Sequence, residues 1–148
     1  MNKKVFGRKL SRSRPAREAL FAALVKAIVI EGKIVTTKAK GKAVIGEIEH
    51  MVTLAKKGGI PAQRLVLGRL DNARKETDKL FDAIAKAFEK RTSGYTRMIN
   101  LPRRKGDNAQ MVRIEWTEKI GEPTVRAKKT VKRVVKKAKN ENVSTKKK

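Results

Sequence analysis

Glu31-Gly32-Lys33-Ile34-Val35-Thr36-Thr37-Lys38 is the stretch on which the fold turns. Before it, Ala16, Ala19, Leu20, Ala23, Leu24, Ala27 and Ile28 recur at spacings of three and four, which builds the apolar stripe of an amphipathic helix. Ser13-Arg14-Pro15 opens that helix, with Pro15 in the first turn where its missing N–H costs nothing. Glu31-Gly32 ends it, because glycine tolerates the left-handed conformation that closes a helix. Lys33 to Thr37 is then short, β-branched and strand-like. After Thr37, a candidate helix cap, the helical period returns through Val44, Ile45, Ile48, Met51, Val52 and Ala55 until Gly58-Gly59. A lone strand between two helices requires partner strands elsewhere in the chain.

Those partners lie near residue 100. Pro61 opens a third helix from Ala62 to about Leu70, which Asp71-Asn72 breaks, and a fourth runs from about Glu76 to Lys90 with Leu80, Phe81, Ile84, Ala85 and Phe88 on one side. After the turn at Ser93-Gly94, Tyr95–Leu101 and Met111–Thr117 are extended segments joined by the polar loop Pro102–Gln110, an antiparallel hairpin. The order α-β-α-α-α-β-β predicts an α+β two-layer domain with a small three-stranded sheet covered by helices on one face. Residues 1–14 read as a basic N-terminal arm, 15–121 as the globular domain and 122–148 as a Lys-rich C-terminal extension. In that extension Ala127, Val131, Val134, Val135 and Ala138 share one helical face opposite an almost continuous Lys/Arg face.

The charge says what the domain is for. The 148 residues include 39 Lys and Arg against 14 Asp and Glu, a formal net charge of +25. Seven basic residues and no acid fall in residues 1–17, 21 basic and 12 acidic in 18–121, and 11 basic and two acidic in 122–148. Such a surface calls for a polyanion. No Cys and a single His leave no disulfide, thiolate zinc site or two-His centre. Glu47 and Glu49 point in different directions on their helix, Asp78 and Asp82 share an ordinary solvated face, and His50 reads as a packed or surface residue. No phosphate-binding glycine loop or zinc-hydrolase or serine-hydrolase motif occurs. A non-enzyme without cofactor or metal is expected. The apolar run Ala19–Ile30 is broken by Lys26 and falls short of the roughly 18–20 residues of a membrane span, so no targeting or membrane segment is assigned and a cytoplasmic protein is expected.

Three basic sets are candidate contacts. The arm offers Lys3, Lys4, Arg8, Lys9, Arg12, Arg14 and Arg17. Lys38, Lys40 and Lys42 stand in the first turns of the second helix, where cations oppose the helix dipole and a bound phosphate would compensate them. Arg103, Arg104 and Lys105 concentrate charge at the hairpin tip. Aromatics are 4% of the residues, and Phe6, Phe21, Phe81 and Phe88 serve core or staple positions while Tyr95 and Trp116 read as packed sheet residues. Too few rings remain for a base-stacking platform, so backbone and shape of a folded nucleic acid are the expected target. DNA compaction, RNA processing and membrane-surface binding are the rival readings.

Several short motifs occur in one order: Gly7-Arg8-Lys9-Leu10-Ser11-Arg12 ahead of Arg17–Leu20, Gly32–Thr37 followed by Ala39-Lys40, Thr53–Gly58, Arg64–Leu67, Lys79–Phe81, Gly94–Arg97 and Gly106–Ala109. In this the sequence resembles the bacterial large-subunit ribosomal protein L17 family over residues 1 to about 118. The resemblance implies a small α/β fold and a structural constituent of the large ribosomal subunit that binds and stabilises folded 23S rRNA, supporting translation, beside neighbouring ribosomal proteins near the nascent-chain exit. It implies rRNA contacts at Arg8, Lys9, Arg12, Arg17, Lys38, Lys40, Arg64, Tyr95 and Arg97. The sequence departs from the family at Lys3 or Lys4 and Pro15, where histidines are usual, at Ser93-Gly94, where Gly-Gly is usual, and in the extension, which short members lack.

Overall fold

The computed structural model describes residues 7–120, so Lys3, Lys4 and the C-terminal extension lie outside the described residues. Helix α1 (Arg14–Glu31) begins with Pro15 in its first turn and ends at Gly32, whose φ of 75° lets its N–H return to Ile28 O at 2.9 Å. Strand β1 (Lys33–Thr37) follows at once and passes directly into α2 (Lys38–Lys57). Helix α3 starts earlier than its proline suggests, at Gly59, and ends at Arg69, because Pro61 occupies its first turn rather than its first residue. Asp71 and Asn72, both left-handed at φ 50° and 58°, make the break before α4.

The fourth helix is the least regular. It is α-helical over Arg74–Lys79 (α4), widens to a π-turn at Leu80–Ile84 and closes with α5 (Ala85–Ala87), short of the expected Lys90. The wider turn presents Leu80, Ile84 and Phe88 together to the core, all no more than 1% exposed. Thr77, also buried, satisfies its hydroxyl by donating to Ala73 O at 2.8 Å.

Strands β2 (Thr96–Leu101) and β3 (Met111–Trp116) form the expected hairpin, and β1 joins them antiparallel on the far side of β3. The sheet order is therefore β1-β3-β2, with Ile34 opposite Ile114 and Met98 on its other flank. Alternation puts Ile34, Thr36, Val112, Ile114 and Trp116 on the buried face. This is an α+β fold with helices on one face of a three-stranded antiparallel sheet. Gly41 is the crossing point of α2 over the sheet, for a Cβ there would stand 2.9 Å from Val112 Cγ2 and 3.4 Å from Ile114 Cδ1.

The core is closed by an aromatic group. Phe88 meets Tyr95 edge-on at 5.3 Å and Trp116 at 5.8 Å between ring centroids. Both polar handles are satisfied, Trp116 Nε1 donating to Ile28 O at 3.1 Å and the Tyr95 hydroxyl to Thr92 O at 2.8 Å. Together these contacts tie the end of α1, the end of the fourth helix and the outer end of the hairpin into one unit.

Candidate nucleic-acid interface

The junction between β1 and α2 organises the basic surface. Thr37 is extended, and its side chain makes no cap hydrogen bond, contrary to the cap its position suggests. Instead the Lys38 N–H donates to Gln110 O at 2.9 Å, which stitches the helix start to the last residue of the hairpin loop. No acid stands in the first turn of α2. The N–H groups of a first turn point outward along the helix axis and carry the positive end of its dipole.

A cleft of about 410 Å³ opens beside this helix start, lined by Arg8, Thr37, Lys38, Ala39, Lys42, Ala109 and Gln110. Three of the expected cations, one from the arm and two from α2, thus converge on one concavity. The arm reaches it through a tight turn in which the Arg12 N–H donates to Lys9 O at 3.1 Å and the Arg12 guanidinium to Leu10 O at 2.9 Å, with Leu10 and Ser11 both left-handed. Ala109 and Gln110 were not expected among the lining residues. In the sequence Ala109 is marked only by the motif Gly106–Ala109 and Gln110 only as the end of the loop Pro102–Gln110, since neither carries charge.

The other expected residues divide. Lys9, Arg12, Arg64, Arg103 and Lys105 are exposed, and Arg17 and Lys40 are half-buried, outside the cleft lining. Arg14 donates to Glu18 at 2.9 Å, and Arg97 on the open face of the sheet stands 3.4 Å from Glu115. Arg104 is not a free charge at the hairpin tip. It grips Asp107 through two hydrogen bonds of 3.1 and 2.5 Å, which holds the Asp107 carboxyl down at about 2 and spends the Arg104 charge inside the loop. Tyr95 is 1% exposed within the aromatic group, so it is packed as its own sequence context suggests. The resemblance points to that position as a contact, whereas its side chain, just before β2, lies in the core.

A second groove, of about 450 Å³ between α1, α2 and α3, is rimmed by Glu18, Glu47 and Asp71, each paired with a cation (Arg14, Arg69 and Lys26), so it gathers no excess of positive charge. Among the described residues, no group of three or more His, Cys, Asp or Glu could hold a metal ion, and no helix is long and apolar enough to cross a membrane.

Fold and surface together define a small basic α+β protein that concentrates fixed cations around a helix start. The model of the ribosomal protein L17 family matches residues 20–117, and the chain belongs to that family. It is accordingly a structural component of the ribosome and not an enzyme. The chain is 44% identical over 119 residues to the large ribosomal subunit protein bL17 of Persephonella marina, covering 80% of this chain and 96% of that one. To bL17 of Thermus thermophilus it is 42% identical over 113 residues, 76% of this chain and 95% of that one. To bL17 of Erythrobacter litoralis it is 39% identical over 112 residues, 76% and 79% of the two chains.

Proposed function

We propose that this protein is a structural constituent of the large ribosomal subunit, in cytoplasmic ribosomes, that binds and stabilises folded 23S rRNA through phosphate contacts and so supports translation. The observation that carries the reading is the meeting of Arg8, Lys38 and Lys42 at an α2 start with no capping side chain. Cations at the positive end of a helix dipole cost about 0.3–1 kcal/mol each, and a phosphate in the cleft would turn that cost into attraction. The arm (1–14) and the extension (122–148) flank the domain as further cation carriers, with Lys9, Arg12, Arg17, Lys40, Arg64, Arg103 and Lys105 as outer contacts. Neighbouring ribosomal proteins complete its surroundings.

The test is salt-dependent binding of the full chain to a structured 23S rRNA fragment. With about eight phosphates neutralised, the slope of log K against log salt is expected near −6 to −7. Lys42→Ala should weaken binding for every structured sequence alike and make the slope shallower by about 1. A slope shallower than about −2, or tighter binding to B-DNA than to structured rRNA, would overturn the reading.

A further inference from the structure

We infer that the open face of the sheet is a protein-docking surface, and that its partner is a neighbouring protein of the same particle presenting an apolar strip with a carboxylate at one end. The register sets Val35, Arg113 and Ile99 in one row across the strands and Lys33, Glu115 and Arg97 in the next. Lys33, Val35, Arg113 and Glu115 alternate with buried residues, and the register puts Arg97 and Ile99 beside them on the face away from the helices. Val35 is 58% exposed although it is β-branched and apolar, and Ile99 is half-buried.

Two of the three cations on this face are paired with its one carboxylate. Glu115 stands at its middle strand, with Arg97 Nε at 3.4 Å and Arg113 Nε at 3.1 Å from its two oxygens. Both guanidinium groups are therefore partly neutralised, and a phosphate approaching either one would meet the carboxylate. Val35 and Ile99 would gain nothing from a phosphate. Two apolar side chains flanking a paired Arg113–Glu115 centre instead make a surface of mixed polarity, as protein interfaces are. A second copy of this chain fits poorly, since each copy carries +25 and the same face would set Lys33, Arg97 and Arg113 against their own equivalents. The face keeps three cations to one anion, so an acidic end on the partner complements Lys33 and Arg97.

This inference rests on the ribosomal reading above, and one experiment separates the two. The chain has no cysteine, so Val35→Cys, Ile99→Cys and Lys42→Cys each create a single thiol. Each full-length variant is assembled into large subunits, tested with a maleimide and, separately, coupled to a benzophenone for photo-crosslinking. At Val35→Cys and Ile99→Cys, maleimide labelling should slow at least about tenfold from free protein to subunit, as burial in an interface requires, and the crosslink should run to protein. Lys42→Cys should crosslink to rRNA. Undiminished labelling of the two sheet positions in the subunit, or their crosslinking to rRNA, overturns the docking surface. Failure of Lys42→Cys to reach rRNA overturns the phosphate cleft instead.

Discussion

Asp107 sits among three cations at the hairpin tip and accepts two hydrogen bonds from Arg104 and one, at 3.2 Å, from the Ala109 N–H. These bonds stabilise the ionised carboxylate and lower its pKa from 3.8 to about 2. A carboxyl whose folded value lies below its unfolded one adds stability that is fully present above about 4 and is lost as pH falls through about 2. Asp107 in the native chain should accordingly titrate near 2 by carboxyl NMR, and in Arg104→Gln its midpoint should rise toward 3.8. An unmoved midpoint in the variant would remove Arg104 as the cause. The same pair explains why three adjacent basic residues do not act as three charges. Arg104 shapes the loop, while Arg103 and Lys105 remain exposed. The sequence places the acid three residues on from Arg104, but only the folded turn shows that the two meet.

At the scale of elements, α2 carries two glycines with opposite meaning. Gly41 is packed against Val112 and Ile114, whereas a Cβ at Gly46 would meet nothing within 4 Å. Alanine in an exposed helix interior is favoured over glycine by about 0.5–1 kcal/mol, so Gly46→Ala should raise the free energy of unfolding by that amount and the urea midpoint with it. Gly41→Ala gains the same helix propensity but must displace the stiff, buried Val112, at about 1–3 kcal/mol, and should come out less stable than the native chain. Urea denaturation followed by the emission of Trp116, the single tryptophan and a core residue, separates the two. If Gly41→Ala proved as stabilising as Gly46→Ala, close approach of helix to sheet would not be what keeps glycine at 41. Periodicity alone cannot tell these glycines apart, since both interrupt the same helical pattern. The π-turn at Leu80–Ile84 is hidden for a related reason: its residues show an ordinary apolar spacing, and the extra residue per turn is absorbed only when the helix seats Leu80 and Phe88 in one core.

At the scale of the whole molecule, a charge of +25 makes the folded state repel itself. Raising ionic strength from about 0.01 M to about 0.15 M shortens the screening length from about 30 Å to about 8 Å. The free protein should therefore melt at higher temperature in added salt, even though salt weakens its binding to RNA. A melting temperature that fell over this range would mean that the ion pairs of the described domain, such as Lys26 with Asp71 and Arg69 with Glu47, outweigh the repulsion.

The α+β class, the seven-element order and the hairpin follow from sequence because each depends on contacts within a few residues: apolar spacing for α1 and α2, β-branching for β1, a polar loop for β2 and β3. The predominance of cations over acids is likewise a property of composition. What required tertiary structure was pairing at a distance. Nothing in Lys33–Thr37 specifies that it lies on β3 rather than on β2, since that choice is made by the helices packing above the sheet. The cleft arises the same way, from the Lys38 N–H reaching Gln110 O across more than 70 residues and from the arm turning Arg8 back beside it. Arg104 fell on the other side of that division although Asp107 lies only three residues on, because the two meet only once the loop is folded. The chain encodes which side chains are charged or aromatic, but the folded loop decided that Arg104 holds Asp107, and the packing of Phe88 against Tyr95 and Trp116, brought together from separate elements, decided how the core closes.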